Sequence, residues 1–317
     1  MTDKEARPFL KWAGGKTQLI SAIKMVLPKD ICKSRFTYIE PFVGCGAVLF
    51  WMLKNFPNLK KAVINDINSD LINTYKIIAA KPKELISILE ILQSEYHLLD
   101  GQEERKKEYY YQKRSSYNNR KEEKSTQAAL FIFLNRTCFN GLYRVNRKNE
   151  FNVPMGSYKR PTICDKDNIL ATSQALQKVE ILCDDYEESL KYADNNTLFY
   201  FDPPYKPLSE TSSFNSYAKD EFNDQEQIRL RDFCHKLDTL NHTWILSNSD
   251  VKGKDESDNF SDDLYSDFKI QRVKSKRCIN DNYEIYYLGV TLRVGLSVTS
   301  PHFVAGFTLL SLTQLAA

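Results

Sequence analysis

No two cysteines in this chain are spaced as C-x-x-C, and no Cys/His cluster occurs. The seven cysteines stand apart, at Cys32, Cys45, Cys138, Cys164, Cys183, Cys234 and Cys278. That scatter argues against a zinc site and against a disulfide framework, and predicts a reduced, cytoplasmic protein. The first residues, Met1-Thr2-Asp3-Lys4-Glu5, lack the apolar core of a signal peptide. Internal repeats and low-complexity linkers are missing as well. Gly15-Lys16-Thr17 resembles the end of a phosphate-binding P-loop. That loop needs a further glycine five residues before Gly15, and Leu10 stands there. What remains is a soluble composition: 317 residues, 42% apolar and 27% charged. It suffices for one large domain or two of ordinary size.

The net charge of +3 is small but unevenly spread. Residues 105–160 carry 14 Lys and Arg against 4 Asp and Glu, whereas residues 220–270 carry 6 against 13. A basic middle in a near-neutral chain points to a local polyanion site. Periodicity predicts a helix over 17–27 stopped by Pro28, and strands at Phe36–Glu40 and Lys61–Asn65. It also predicts helices at Ala47–Lys54 and at Ser69–Ala80, the latter with Ser69 as N-cap. Residues 82–135 read as helical, charged and tyrosine-rich, and 136–161 as a polar loop and hairpin. Strand-like runs resume at Val179–Leu182, Leu198–Phe201 and Thr243–Leu246, with a helix at Asp224–Leu240. This is a βα sheet interrupted by a basic insertion.

Two strand ends carry chemistry. Gly44 and Gly46 lie between a strand and a helix, where glycine lets a ligand approach the backbone closely. Asp66 follows 20 residues after Gly46, a spacing that suits ribose hydroxyls. A tight turn with a helix-capping acid accounts for these residues equally well. The second strand end is Phe201-Asp202-Pro203-Pro204-Tyr205. Asp202 and a proline carbonyl offer acceptors for both hydrogens of a planar amine, and Tyr205 offers a stacking face. Accepting both hydrogens favours a tetrahedral nitrogen with its lone pair aimed at an electrophile. On the tetrapeptide alone, a strand followed by a proline-rich turn is an equal reading.

Six ordered blocks together resemble the Dam-type family of DNA adenine methyltransferases. They are Phe9–Lys16 (FLKWAGGK), Glu40–Gly46 (EPFVGCG), Asp66–Ile72 (DINSDLI), Asn140–Asn146 (NGLYRVN), Phe151–Gly156 (FNVPMG) and Asp202–Tyr205 (DPPY). The resemblance spans about residues 7–280. It implies a doubly wound α/β sheet of the Rossmann-like methyltransferase type. Residues 1–80 and 165–317 would form the S-adenosylmethionine-binding catalytic domain, and 81–164 an inserted helical and hairpin domain that recognises the target.

By the same resemblance, Trp12, Lys16, Phe42, Gly44, Gly46, Asp66 and Asp202 would line the cofactor pocket. Asp202, Pro203 and Tyr205 would hold a flipped adenine. On the DNA side, Phe139 would enter the base stack, Asn140 would touch the backbone and Arg144 would read a guanine, with Lys11, Asn146 and Arg147 beside them. Arg and Asn are the side chains that bind guanine and adenine bidentately. Lys106, Lys107 and Arg120 are expected to be general phosphate contacts or solvated charge. The implied substrate is duplex DNA, with GATC as the target. No metal and no membrane are expected, and a restriction endonuclease is a conceivable partner. RNA or protein methyltransferases, which more often carry Asn where Asp202 stands, and a non-catalytic DNA-binding module are the rival readings.

The tail departs from the family pattern. After Glu284 a single Lys, Arg, Asp or Glu remains, Arg293, and Val294–Ala317 is apolar and rich in Ser and Thr. Pro301 and the scattered polar residues argue against a membrane span. Two readings stay open: a divergent last strand with an extension, or an altered frame that replaces the strand closing the sheet.

Overall fold

A computed structural model describes residues 5–12, 19–28, 31, 33–204, 222–249, 259–277 and 286–294. Seven strands form one sheet: β1 (Phe36–Glu40), β2 (Leu59–Asn65), β3 (Val179–Leu182), β4 (Thr197–Phe201), β5 (Thr243–Ser249), β6 (Lys269–Arg277) and β7 (Tyr286–Val294). Their order is β3-β2-β1-β4-β5-β7-β6. The first five are mutually parallel, and β7 runs antiparallel to both β5 and β6. The start of the tail therefore supplies a strand inside the sheet, and this part of the chain completes the fold.

Alternate residues of the central strands point to opposite faces. Tyr38, Ala62, Ile64, Leu198, Tyr200 and Ile245 enter one core. Ile39, Val63, Phe199, Phe201, Trp244 and Leu246 enter the other, under Leu230, Phe233 and Leu237 of α8 (Asp224–Thr239). With both faces covered, the strands carry continuous apolar runs, as parallel strands do.

The first face is covered by α1 (Ile20–Val26), α2 (Ala47–Asn55), α3 (Ser69–Ala80) and α7 (Lys166–Leu176). The α3 cap is Asn68 rather than Ser69: its side chain accepts from the amides of Asp70 and Leu71. The insertion contributes α4 (Pro82–Leu98), α5 (Glu103–Asn119) and α6 (Lys124–Thr137). Helix α6 is buried from Ala128 to Asn135 on every side, the pattern of a helix at the centre of a core. Tyr96, Tyr110 and Tyr117 pack around it and join the core on the sheet's first face without a break. A short helix, α9 (Phe260–Leu264), precedes β6.

Among the described residues, no helix is long and apolar enough to cross a membrane. None of their His, Cys, Asp and Glu side chains group to hold a metal, and their five cysteines are free.

Candidate functional site

Strands β2, β1 and β4 end side by side, with Glu40 paired to Ile64 and Ile39 to Phe199. The three following turns meet at that edge. In the turn after β1, the Gly46 amide donates to the Val43 carbonyl at 2.8 Å and the Val43 amide to the Asn65 carbonyl at 2.9 Å. Gly44 and Gly46 both have positive φ, 49° and 74°. A Cβ on Gly46 would lie 2.5 Å from the Tyr75 hydroxyl, and one on Gly44 would lie 3.2 Å from Trp12 Nε1. Tyr75 Oη donates to the Gly44 carbonyl at 3.0 Å. The glycines thus permit the turn's curvature and let Tyr75 and Trp12 pack directly against its backbone.

Asp66 follows β2. One of its oxygens accepts from the Gly44 amide at 3.1 Å and the other from the Asn68 amide at 3.0 Å. Burial pushes its carboxyl up to about 6, and the two amides hold it from rising further. Beside it Ile67 is 63% exposed, an apolar surface next to an acid. Buried Asn65 stitches two turns together. Its side-chain amide donates to the carbonyls of Pro41 and Asp184, at 3.2 and 2.9 Å, and its oxygen accepts from the Asp184 amide at 2.9 Å. Phe42 packs against Tyr186 and Phe222, with ring centroids 5.2 and 5.7 Å away.

After β4, Asp202 is half-buried, Pro203 buried and Pro204 exposed. The Pro204 carbonyl accepts from Gln227 Nε2 at 3.4 Å, and Gln227 Oε1 accepts from Asn248 Nδ2 at 3.1 Å. Gln227 is only 3% exposed, so this relay braces the loop from α8 and β5. Beneath it, Tyr38 Oη donates to buried Glu40 at 2.7 Å. Burial drives the Glu40 carboxyl well above the ordinary range, and the Asp202 charge adds to the rise. Lys16 and Tyr205 lie outside the described residues.

Trp12 stacks on Tyr143, with centroids 5.6 Å apart and planes 16° apart. This joins the N-terminal segment to the insertion. Asn135 fastens the same junction. Its oxygen accepts from the Lys11 amide at 2.8 Å, and its nitrogen donates to the carbonyls of Lys11 and Gly141 at 2.7 and 2.9 Å. The Lys11 ammonium sits 3.7 Å from the centroid of the Tyr158 ring.

The residues expected at DNA lie along one stretch after α6. Phe139 is 46% exposed, unusual for a phenylalanine, and exposed Asn140 follows it in a left-handed conformation with φ 53°. Arg144 and Asn152 face each other across a hairpin: Arg144 Nε donates to Asn152 Oδ1 at 2.7 Å. Asn146 is used inside the turn. Its oxygen accepts from the amides of Lys148 and Glu150, at 2.9 and 3.0 Å, and its nitrogen donates to the Glu150 carboxylate at 2.8 Å. Arg147 is exposed at that turn. The hairpin is held to α5 by Asn118, which donates to the Phe151 carbonyl and accepts from its amide, at 3.0 and 2.8 Å.

Two basic residues differ from expectation. Lys106 is 3% exposed, bonded to Asp100 at 2.7 Å and to the Lys159 carbonyl at 3.0 Å. Arg120 is paired with Asp70. Neither is free solvated charge, because each ammonium or guanidinium ties two segments together; Lys107 is exposed. Asn65, Asn135, Asn152, Gln227 and Tyr143 were not singled out from the sequence. Tyr143 and Asn152 carried a signal, as parts of the NGLYRVN and FNVPMG blocks.

A family model described as D12 class N6 adenine-specific DNA methyltransferase matches residues 12–279. The chain is 48% identical over 280 residues to the type II methyltransferase M.MjaIII of Methanocaldococcus jannaschii, covering 87% of this chain and 93% of that protein. It is 40% identical to the type II methyltransferase M1.LlaDCHI of Lactococcus lactis subsp. cremoris, covering 86% and 88%. To the DNA adenine methylase of Escherichia coli K12 it is 33% identical, covering 88% and 91%.

Proposed function

The chain belongs to the D12 class of N6 adenine-specific DNA methyltransferases, and from that premise we propose that it methylates the exocyclic amine of adenine within GATC in double-stranded DNA, using S-adenosylmethionine. The observation that carries this reading is the alignment of β2, β1 and β4. It sets Asp66, the Gly44–Gly46 turn and Asp202 along one sheet edge. The chemistry of this edge suits the cofactor: a half-buried acid for a ribose diol and an exposed Ile67 for an adenine face, beside the glycine turn.

Trp12, Lys16, Phe42, Gly44, Gly46, Asp66 and Asp202 would hold S-adenosylmethionine, which supplies an electrophilic sulfonium methyl. Asp202 and the Pro203 carbonyl accept the two hydrogens of the target amine, and Tyr205 stacks on its base. This arrangement turns the nitrogen lone pair toward the methyl. Bound there, S-adenosylmethionine would give its methyl to that nitrogen and leave as the neutral thioether S-adenosylhomocysteine, and the methylated nitrogen, now acidic, would pass a proton to water. Asp202 acts chiefly as a hydrogen-bond acceptor and an orienting group.

An adenine inside a duplex is out of reach, so the base must leave the stack at a cost of a few kcal/mol. Exposed Phe139 suits a wedge that fills the gap, Asn140 and Lys11 suit contacts beside it, and Arg144 suits a guanine. Asn146 shapes the turn that presents Arg147. We assign residues 81–164 to target recognition, and 1–80 with 165–317 to catalysis. The GATC target rests on the resemblance of the NGLYRVN and FNVPMG blocks. Two relatives are named type II methyltransferases, which supports a role as the modification half of a restriction–modification system. Action on cellular DNA puts the enzyme in the cytoplasm.

The test is transfer of labelled methyl from S-adenosylmethionine to unmethylated duplexes with and without GATC, beside an Asp202→Ala control. Label in the adenine of the GATC duplex, strongly reduced with the variant, is the expected result. Equal labelling of both duplexes would sink the GATC assignment, and label outside adenine N6 would sink the reaction.

A further inference from the structure

Arg120 caps α5 in a left-handed conformation, φ 55° and ψ 26°. Glycine or asparagine adopts that state most readily, so an arginine there bears a backbone cost. Its side chain is committed at both ends. One guanidinium nitrogen donates to the Asp70 carboxylate, and the other to the Asn149 carbonyl at 3.2 Å. The guanidinium carbon lies 4.5 Å from the centroid of the Tyr117 ring, and Tyr117 Oη donates to the second Asp70 oxygen at 2.7 Å. The Asp70 side chain is 10% exposed and belongs to the first turn of α3. Its amide bonds to Asn68 Oδ1, and the Asn68 amide bonds to Asp66. Asn149 lies in the hairpin turn, its amide donating to the Asn146 carbonyl. A continuous set of bonds therefore runs from Asp66, through the start of α3 and Arg120, to the tip of the hairpin that carries Arg144 and Arg147.

We propose that Arg120 is a positioning residue that fixes the tip of the recognition hairpin to the first turn of α3, so that occupancy at Asp66 and reading by the hairpin are linked. This rests on the DNA-reading role proposed above for the hairpin. Arginine suits the task because its planar fork serves two acceptors at once, which a single ammonium does less well. Linkage of this kind is reciprocal: a cofactor that raises DNA affinity has its own affinity raised by DNA by the same factor.

The test uses the full chain and the variants Arg120→Gly and Arg120→Lys. Glycine suits the left-handed backbone and removes both contacts. The relief of backbone strain offsets part of the cost of leaving Asp70 without its cation, so a lowered melting temperature with a cooperative transition is expected. Arg120→Lys, which keeps a cation at Asp70, serves as the control for stability. The first readout needs no DNA: amide hydrogen exchange of residues 144–152, with and without S-adenosylhomocysteine. The analogue is expected to slow exchange of the hairpin in the wild type, to have no effect there in Arg120→Gly, and to have a partial effect in Arg120→Lys.

The second readout is affinity for GATC and scrambled duplexes. The analogue should raise cognate affinity about fivefold or more in the wild type, and that gain should vanish in Arg120→Gly. Identical hairpin exchange in the wild type and Arg120→Gly, or a wild-type hairpin indifferent to the analogue, would overturn the proposal. A hairpin that responds to the analogue in a protein that does not prefer GATC would instead overturn the assigned target, with the role of Arg120 in holding the hairpin upheld.

Discussion

Gly46 is held at φ 74°, and the Tyr75 hydroxyl and the Phe50 ring stand where a Cβ would go. Gly46→Ala should cost roughly 1–3 kcal/mol through strain and displacement of Tyr75, read as a lowered melting temperature. If thermal stability is unchanged, the turn is looser than described. Asp66 makes a different prediction. Its carboxyl titrates near 6 because burial disfavours the charge, and a ribose diol requires the carboxylate. S-adenosylhomocysteine affinity should therefore fall about tenfold per pH unit below that value, measured by calorimetry from pH 8 to 5. The folded value lies above the unfolded one, so protonation of Asp66 favours the native state. This group's contribution to stability rises as pH falls through 6 and levels off below about 4. Lost affinity without lost melting temperature is the expected signature. Asp202→Ala removes an acceptor of a charge-assisted hydrogen bond, and a loss of about 10–100-fold or more in kcat is expected. A variant of near-normal activity would remove Asp202 from the chemistry.

The hairpin and the turn before it form the element on which specificity is proposed to rest. Arg144 is aimed by Asn152, so Arg144→Ala and Asn152→Ala should both weaken discrimination between cognate and altered duplexes, the first by roughly 1–3 kcal/mol. Equal loss on both duplexes would make Arg144 a phosphate contact only. Much at this scale was legible beforehand. The strand Phe36–Glu40 runs as expected, and the glycine turn follows it, because apolar runs and turn residues act locally. The α3 cap moved by one residue because Asn68 and Ser69 are both good caps, and Asn68, its own amide held by Asp66, is the one whose side chain accepts from the first amides of the helix. The fastenings were not legible. Asn135 bonds to Lys11 across 124 residues and Asn65 to Asp184 across 119, and no local pattern marks an amide that will meet a partner so distant. Lys106 and Arg120 read as surface charge because a sequence gives their sign but not their acid.

At the scale of the whole molecule, β7 is the piece the sequence left undecided. With a single charge after Glu284 its composition departs from the family ending, yet Tyr286–Val294 lies between β5 and β6 and pairs with both. A chain ended at residue 285 would leave two strands facing a gap. It should lose cooperative unfolding or aggregate, whereas one ended at Val294 keeps all seven strands. Circular dichroism during heating separates the two outcomes, and equal cooperativity would mean that β7 is dispensable. The central placement of α6 has a practical consequence for redesign. A reader that shares its core with the sheet is not a cassette to be cut out at residues 81 and 164 and exchanged between relatives. Such a chimera would have to rebuild the seam where α6 packs on α3 within one shared core. Retargeting is better attempted by exchanging the exposed residues of the run from Phe139 to Tyr158 on an unchanged helical bed, with its buried Tyr143, Val145, Phe151 and Val153 retained and Asn118 and Arg120 kept as its moorings.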